Sequence, residues 1–136
     1  MERIAYREGY EYQLAEPYTT RVSIYPQALI LDEFIRMQPD GLLTILSGYA
    51  WDGASGPTID SKNTMRGSVV HDALFQLMRE GFLDVKWRKQ ADKELYRILR
   101  EDGMSAIRAG YWYAGVRIGG GPSASINDNN ILYAPE

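Results

Sequence analysis

The chain has 136 residues, 45% of them apolar, so one domain is expected, with a core large enough to stand without metals or disulfides. A formal charge of −3 and a pI near 5.2 exclude a general binder of phosphate backbones, which needs clustered Lys and Arg, and no nucleic-acid partner is expected. The absence of cysteine excludes disulfides, thiolate catalysis and thiolate zinc sites, and it fits a reducing cytosol.

Met1–Gly9 carries Glu2, Arg3, Arg7 and Glu8 and no apolar run of signal-peptide length. No window approaches the roughly 18 apolar residues of a transmembrane segment. Residues 1–47 read as an N-terminal antiparallel sheet of about four to five short strands. Tyr10–Ala15 is aromatic-rich and ends at Pro17. Thr19–Tyr25 alternates, with Val22 and Ile24 on one side and Arg21 and Ser23 on the other, until Pro26 interrupts it. Ala28–Met37 and Leu42–Leu46 flank Pro39-Asp40-Gly41, a hairpin signature in which Pro fixes φ and Gly permits positive φ.

Residues 48–62 form a structured loop: Gly48, Gly53, Gly56 and Pro57 break any regular element, and Asp52, Ser55, Asp60 and Ser61 add small polar side chains. Residues 63–118 then read as three C-terminal helices, giving an α+β class for a single domain over 1–122. Asn63 is the expected N-cap of a helix to about Arg79, with Gly81 beyond it and Val70, Leu74, Leu77 and Met78 as its apolar stripe. Asp84 caps a second helix to Arg100, whose stripe is Trp87, Ala91, Leu95, Ile98 and Leu99. Around Trp87 the basic residues Lys86, Arg88 and Lys89 read as a solvated face. Ser105 caps a third helix, Ala106–Ile118, with Ile107, Tyr111, Ala114 and Ile118 expected inward. Gly119-Gly120-Gly121-Pro122 follows a helix rather than opening one, so it is a stop and not a phosphate cradle. Residues 123–136 are a polar tail ending in Ile131-Leu132-Tyr133.

The chemistry gathers at the loop and the first helix. His71, the one histidine, lies beside the Val70–Leu74–Met78 stripe. Asp92 falls on the inward side of the second helix, where a carboxylate is costly unless paired. Antiparallel helices joined by a short connection bring the two within reach. Asp92 is then expected to accept the Nδ1–H of His71 and leave the other nitrogen free. That pair reads either as an oriented general base or as a buried structural hydrogen bond. Asp52 and Asp72, with Ser55 and Asp60, supply hard oxygen ligands suited to Ca²⁺ or Mg²⁺, or else the loop is a tight turn in which Asp52 and Ser55 bond to backbone. Ser55, His71 and Asp92 are also the residue types of a nucleophilic triad, but Ser55 sits in no Gly-x-Ser-x-Gly elbow. Trp51 and Tyr49, beside Gly53, Ser55 and Pro57, are the candidate lining of a small-molecule pocket.

Gly48-Tyr49-Ala50-Trp51-Asp52-Gly53-Ala54-Ser55-Gly56-Pro57, Val70-His71-Asp72-Ala73-Leu74-Phe75, Arg88 with Ala91-Asp92, and Tyr113 to Gly119 together resemble a phage and prophage family, domain of unknown function 1353. Phe75 stands where Tyr is common in that family. The resemblance implies a phage or prophage gene, expressed in the cytoplasm of a bacterial host or incorporated in the virion, and brings no activity. The His71-Asp72 pair with Asp92 on a partner helix is also similar to the helices of phospholipase A2. That similarity implies His71 as base, Asp72 as calcium ligand and Asp92 as orienter, although the glycine-rich calcium loop and disulfides of that family are missing.

Three functions follow as expectations. One is a small hydrolase using His71 and Asp92, with or without a metal. The second is a non-enzymatic head, tail or assembly protein that contacts other phage structural proteins through its Tyr-rich strands and C-terminal tail. The third is an accessory protein that binds a host factor or small molecule.

Overall fold

The computed structural model describes residues 3–7, 12–51 and 62–119, and its first half forms antiparallel sheets that precede three helices, an α+β fold. The strands are β1 (Tyr6–Arg7), β2 (Tyr12–Leu14), β3 (Tyr18–Arg21), β4 (Ile30–Leu31), β5 (Ile35–Met37), β6 (Leu42–Ile45) and β7 (Ala50–Trp51). Among the described residues they make two sheets rather than the one expected, ordered β1-β2-β7 and β3-β6-β5-β4. The division has local causes. Pro17 removes a backbone donor between β2 and β3. Asp32 splits the expected strand 28–37, because its carboxylate accepts from the Phe34 N–H at 3.4 Å and its N–H donates to the Ile35 carbonyl at 2.8 Å. The resulting turn separates β4 from β5. The start of the expected loop also belongs to a strand, since β7 pairs with β2 in the register Tyr12↔Trp51.

Alternation fixes which face of the larger sheet is buried. Ile35, Met37, Leu43 and Ile45 are fully buried. On the outer face the hydroxyls of Thr19 and Thr44, directly opposed, lie 3.1 Å apart. The inward rhythm continues past the end of β3, where Val22 and Ile24 remain buried without strand pairing. The β5–β6 turn is the expected one. Gly41 takes φ +91°, its N–H donates to the Gln38 carbonyl at 3.0 Å, and Asp40 accepts from the Leu42 N–H at 3.1 Å.

The helices are α1 (Lys62–Arg79), α2 (Arg88–Glu101) and α3 (Ala106–Gly119), with a single 3-10 turn at Val85–Trp87 leading into α2. The Asp84 side chain caps that turn through the Lys86 N–H at 2.8 Å. Gly81, at φ +82°, ends α1: its N–H bonds to the Met78 carbonyl and that of Phe82 to Leu77, the paired bonds of a Schellman motif. α1 is the central helix, buried on most of its circumference, and the main core spans it and both sheets. Arg66 on α1 is buried and donates to the Tyr18 hydroxyl on β3 and to Glu101 and Asp102 at the end of α2, tying three elements together.

α2 packs on both α1 and α3. The face of α3 turned to α2 is not the expected one. Ala109 and Trp112 are buried with Tyr113 and Val116 half-buried beside them, while Ile107, Tyr111 and Ile118 are 89%, 63% and 86% exposed. Both sets have helical spacing, so periodicity does not choose between them; the set holding the large Trp112 ring takes the α2 face, where it packs with Leu95 and Leu99. No helix among the described residues is long and apolar enough to cross a membrane.

Candidate functional site

The structure brings His71 and Asp92 together. His71 lies midway along α1 and Asp92 one turn into α2, and the Nε2 of the imidazole is 2.6 Å from Asp92 Oδ1. Asp92 is wholly buried, and the His71 side chain keeps 11% of its surface. The contacting nitrogen is Nε2, not the expected Nδ1. The reason is reach: Nε2 is the far end of the ring, and it spans the gap between two packed helices, whereas Nδ1 stays close to its own backbone. The ring is also held from the side by Phe75, one turn on, with ring centroids 4.2 Å apart and planes tilted by 34°.

Asp92 has a second partner that the sequence reading missed. Arg117 on α3 donates from Nη1 to Asp92 Oδ2 at 2.8 Å. Arg88, one turn before Asp92, donates to the Arg117 backbone carbonyl at 2.6 Å, so it faces inward rather than lying on the solvated face expected for the 86–89 cluster. Each oxygen of the buried carboxylate is thus occupied, one by a ring nitrogen and one by a guanidinium. This is the pairing a charge requires in such a place. Arg117 lies on the α3 face that carries Tyr113 and Val116, and because periodicity did not single out that face as the inner one, no sequence signal pointed to it.

The other expected residues fall elsewhere. Asp72 is half-buried on a different side of α1, close enough to Tyr49 for its charge to matter. Burial first, then the Asp72 carboxylate, push the Tyr49 phenol well above its ordinary value. Tyr49 and Trp51, the candidate pocket lining, are core residues with 4% and 2% exposure. The Trp51 indole donates to Ser68 Oγ at 2.9 Å and meets the rings of Tyr6 and Tyr12. Asp52, Gly53, Ser55 and Pro57 lie outside the described residues, and with them the Ser55 triad and most of the expected calcium ligands. Among the described residues no group of three or more histidine or acidic side chains is gathered to hold a metal ion, and Asp72 is the one expected Ca²⁺ ligand they contain.

Chemically, the arrangement presents an imidazole fixed by a buried carboxylate, which is itself fixed by an arginine. Comparison with known proteins adds no relative: no family model, no curated protein and no solved structure matches the chain.

Proposed function

We propose that the protein is a phage- or prophage-encoded hydrolase with His71 as general base and Asp92 as the residue that positions it. The observation that carries this reading is the 2.6 Å contact between Nε2 and a carboxylate with no exposed surface. With Asp92 accepting the Nε2–H, the neutral ring holds its lone pair on Nδ1, the nitrogen left to take a proton from water. The hydroxide equivalent attacks the electrophilic centre of the substrate, Asp92 stabilises the imidazolium formed, and that imidazolium returns its proton to the leaving group as the bond between it and the centre breaks. Arg117 keeps Asp92 in place and touches no reacting atom. The phage origin rests on the motif resemblance over the loop, the His71-Asp72 helix and the Ala91-Asp92 helix. This reading goes with the cytoplasm of the bacterial host.

The test is a hydrolase panel of carboxyl esters, phosphodiesters and lipids run on wild type, His71→Asn and Asp92→Asn, with folding followed by circular dichroism. Both folded variants are expected to lose about 100-fold or more in rate. Wild type inactive on the whole panel, or activity unchanged in His71→Asn, refutes the proposal.

A second reading has its own observation. Large apolar side chains are exposed in clusters on the described surface, which suits a head, tail or assembly protein of the virion. Mass spectrometry of purified particles, finding the chain in stoichiometric copies, would support it, and its absence from them would refute it.

A further inference from the structure

The contacts between α1 and α2 fix a register. Arg66 meets Glu101 and Asp102, and His71 meets Asp92, so the two helices run antiparallel. One turn further along, the same register sets Arg88 opposite Phe75, whose ring lies against the imidazole. Arg88 and Asp92 are four residues apart, so they share a face of α2 and lie about 6 Å from each other along its axis. From that face Arg88 donates to the Arg117 carbonyl at 2.6 Å, while the Arg117 side chain reaches Asp92. Arg88 is therefore one helical turn from the His71–Asp92 contact.

Arg117 has an anion and Arg88 has none. Among the described residues the one hydrogen bond of Arg88 goes to a neutral carbonyl, and no carboxylate pairs with it. Its Nε is buried and finds no acceptor. Asp84, one turn earlier in the chain, is exposed and accepts from the Lys86 N–H instead. The C-terminus of α3, to which the Arg117 carbonyl belongs, supplies only about half a negative charge. Asp92 and Arg117 cancel, so the cluster keeps the positive charge of Arg88. A guanidinium does not shed its proton, and a half-buried one with an unfilled donor favours an oxyanion beside it.

We propose that the substrate of the His71 site is an anionic ester, with its phosphate or carboxylate oxygens held by Arg88 and the bond to be cut lying against His71. Phosphate and carboxylate share the pair of oxygens that a planar guanidinium recognises. The inference rests on the reading of His71 as a hydrolytic base, and it ranks charged substrates such as phosphodiesters ahead of neutral carboxyl esters.

The test titrates the full chain with inorganic phosphate and, separately, with acetate at constant ionic strength. The readout is the arginine Nε–H signals and the His71 ring signals in ¹H–¹⁵N spectra. The Arg88 signal, assigned by its loss in Arg88→Gln, is expected to shift saturably with at least one of the two anions. A response to phosphate alone marks a phosphoester substrate, and a response to acetate alone marks one that bears a carboxylate. Arg88→Gln, whose amide can still donate to the Arg117 carbonyl, is expected to weaken binding about 10-fold or more, read from the His71 ring, and to raise KM for an anionic ester but not for a neutral one. His71→Asn is expected to bind the anion as wild type does. An Arg88 signal that ignores both anions, or that moves equally with chloride, overturns the inference, and an active enzyme with that result keeps His71 as its base. Saturable binding by a wild type that hydrolyses nothing refutes the hydrolase reading and supports Arg88 as an anion site.

Discussion

Removing the charge of Asp92 and removing its arginine should cost less together than the sum of the two alone. Asp92 has no exposed surface and two charge-assisted contacts, at 2.6 Å to His71 and 2.8 Å to Arg117. In Asp92→Asn the amide keeps the shape but turns an N–H donor towards one of two donors. A hydrogen bond to a charged group contributes about 1.5–3 kcal/mol, so losing one and weakening the other costs about 3 kcal/mol. Arg117→Met strips the cation from a buried carboxylate and also costs about 3 kcal/mol. The double variant removes both charges at once, leaves neither stranded, and should lose about 4 kcal/mol, a coupling of about 2 kcal/mol. For a chain of 136 residues, an unfolding entropy of about 2.1 cal/mol/K per residue turns 3 kcal/mol into a drop of about 10 °C in Tm. Urea unfolding of the four proteins at neutral pH measures the cycle. If the double loss equals the sum of the singles to within about 0.5 kcal/mol, Asp92 and Arg117 do not act as a pair and the electrostatic account of the site is wrong.

Three further outcomes follow from local geometry. Neutral His71 should carry its proton on Nε2, because that nitrogen faces Asp92; long-range ¹H–¹⁵N spectra of the imidazole read this directly, and a protonated Nδ1 would reverse the assignment of the free base. Burial, followed by a hydrogen bond with Asp32 and the charge of that residue, pushes the Glu80 carboxyl from 4.5 to about 7. A raised carboxyl favours the folded state when protonated, so this contribution is complete below about pH 4.5 and is lost as pH rises through about 7. Glu80 is exposed, and screening holds the effect to about 1 kcal/mol. Glu80→Gln should flatten that slope, and urea midpoints of the two proteins running parallel across the window would refute the prediction. Finally, Gly41→Ala should destabilise by about 3 kcal/mol, since the position has φ +91° and its Cβ would lie 2.2 Å from the Val22 carbonyl oxygen; a loss under about 1 kcal/mol by urea unfolding would contradict the turn geometry.

Local chemistry was the legible part of this sequence. Pro39-Asp40-Gly41 dictates its own turn, Ser105 caps α3 through the Arg108 N–H, and Asp84 caps the 3-10 turn, because each uses atoms only a few residues apart. The meeting of His71 with Asp92 was legible too, from a costly carboxylate on an apolar face and a short helix connection. What the sequence hid depends on contacts between distant segments. Which imidazole nitrogen meets Asp92 is decided by the spacing of two helix axes, and no side-chain pattern encodes that distance. The burial of Tyr49 and Trp51 came from β7 joining β2, a pairing invisible in a stretch that reads as a glycine-rich loop. α3 misled because apolar residues occur on both of its sides, and only the presence of α2 decides which side is inner.

The order of the smaller sheet bears on how the chain reaches this structure. β2 pairs on one side with β1, its neighbour in sequence, and on the other with β7, which arrives only after the whole of residues 18–45. Closing β2 on β7 across an unstructured chain of that length carries a large entropic penalty, and forming the four-stranded sheet first shortens the effective loop. The Tyr6 and Tyr12 strands are therefore made before β7, and β2 finds its second neighbour late. Trp51, packed against both tyrosine rings, sits at that seam, and its fluorescence should change in the slowest phase of refolding, after the helical signal has already risen. The β2–β7 seam is the last part of the sheet layer to be sealed.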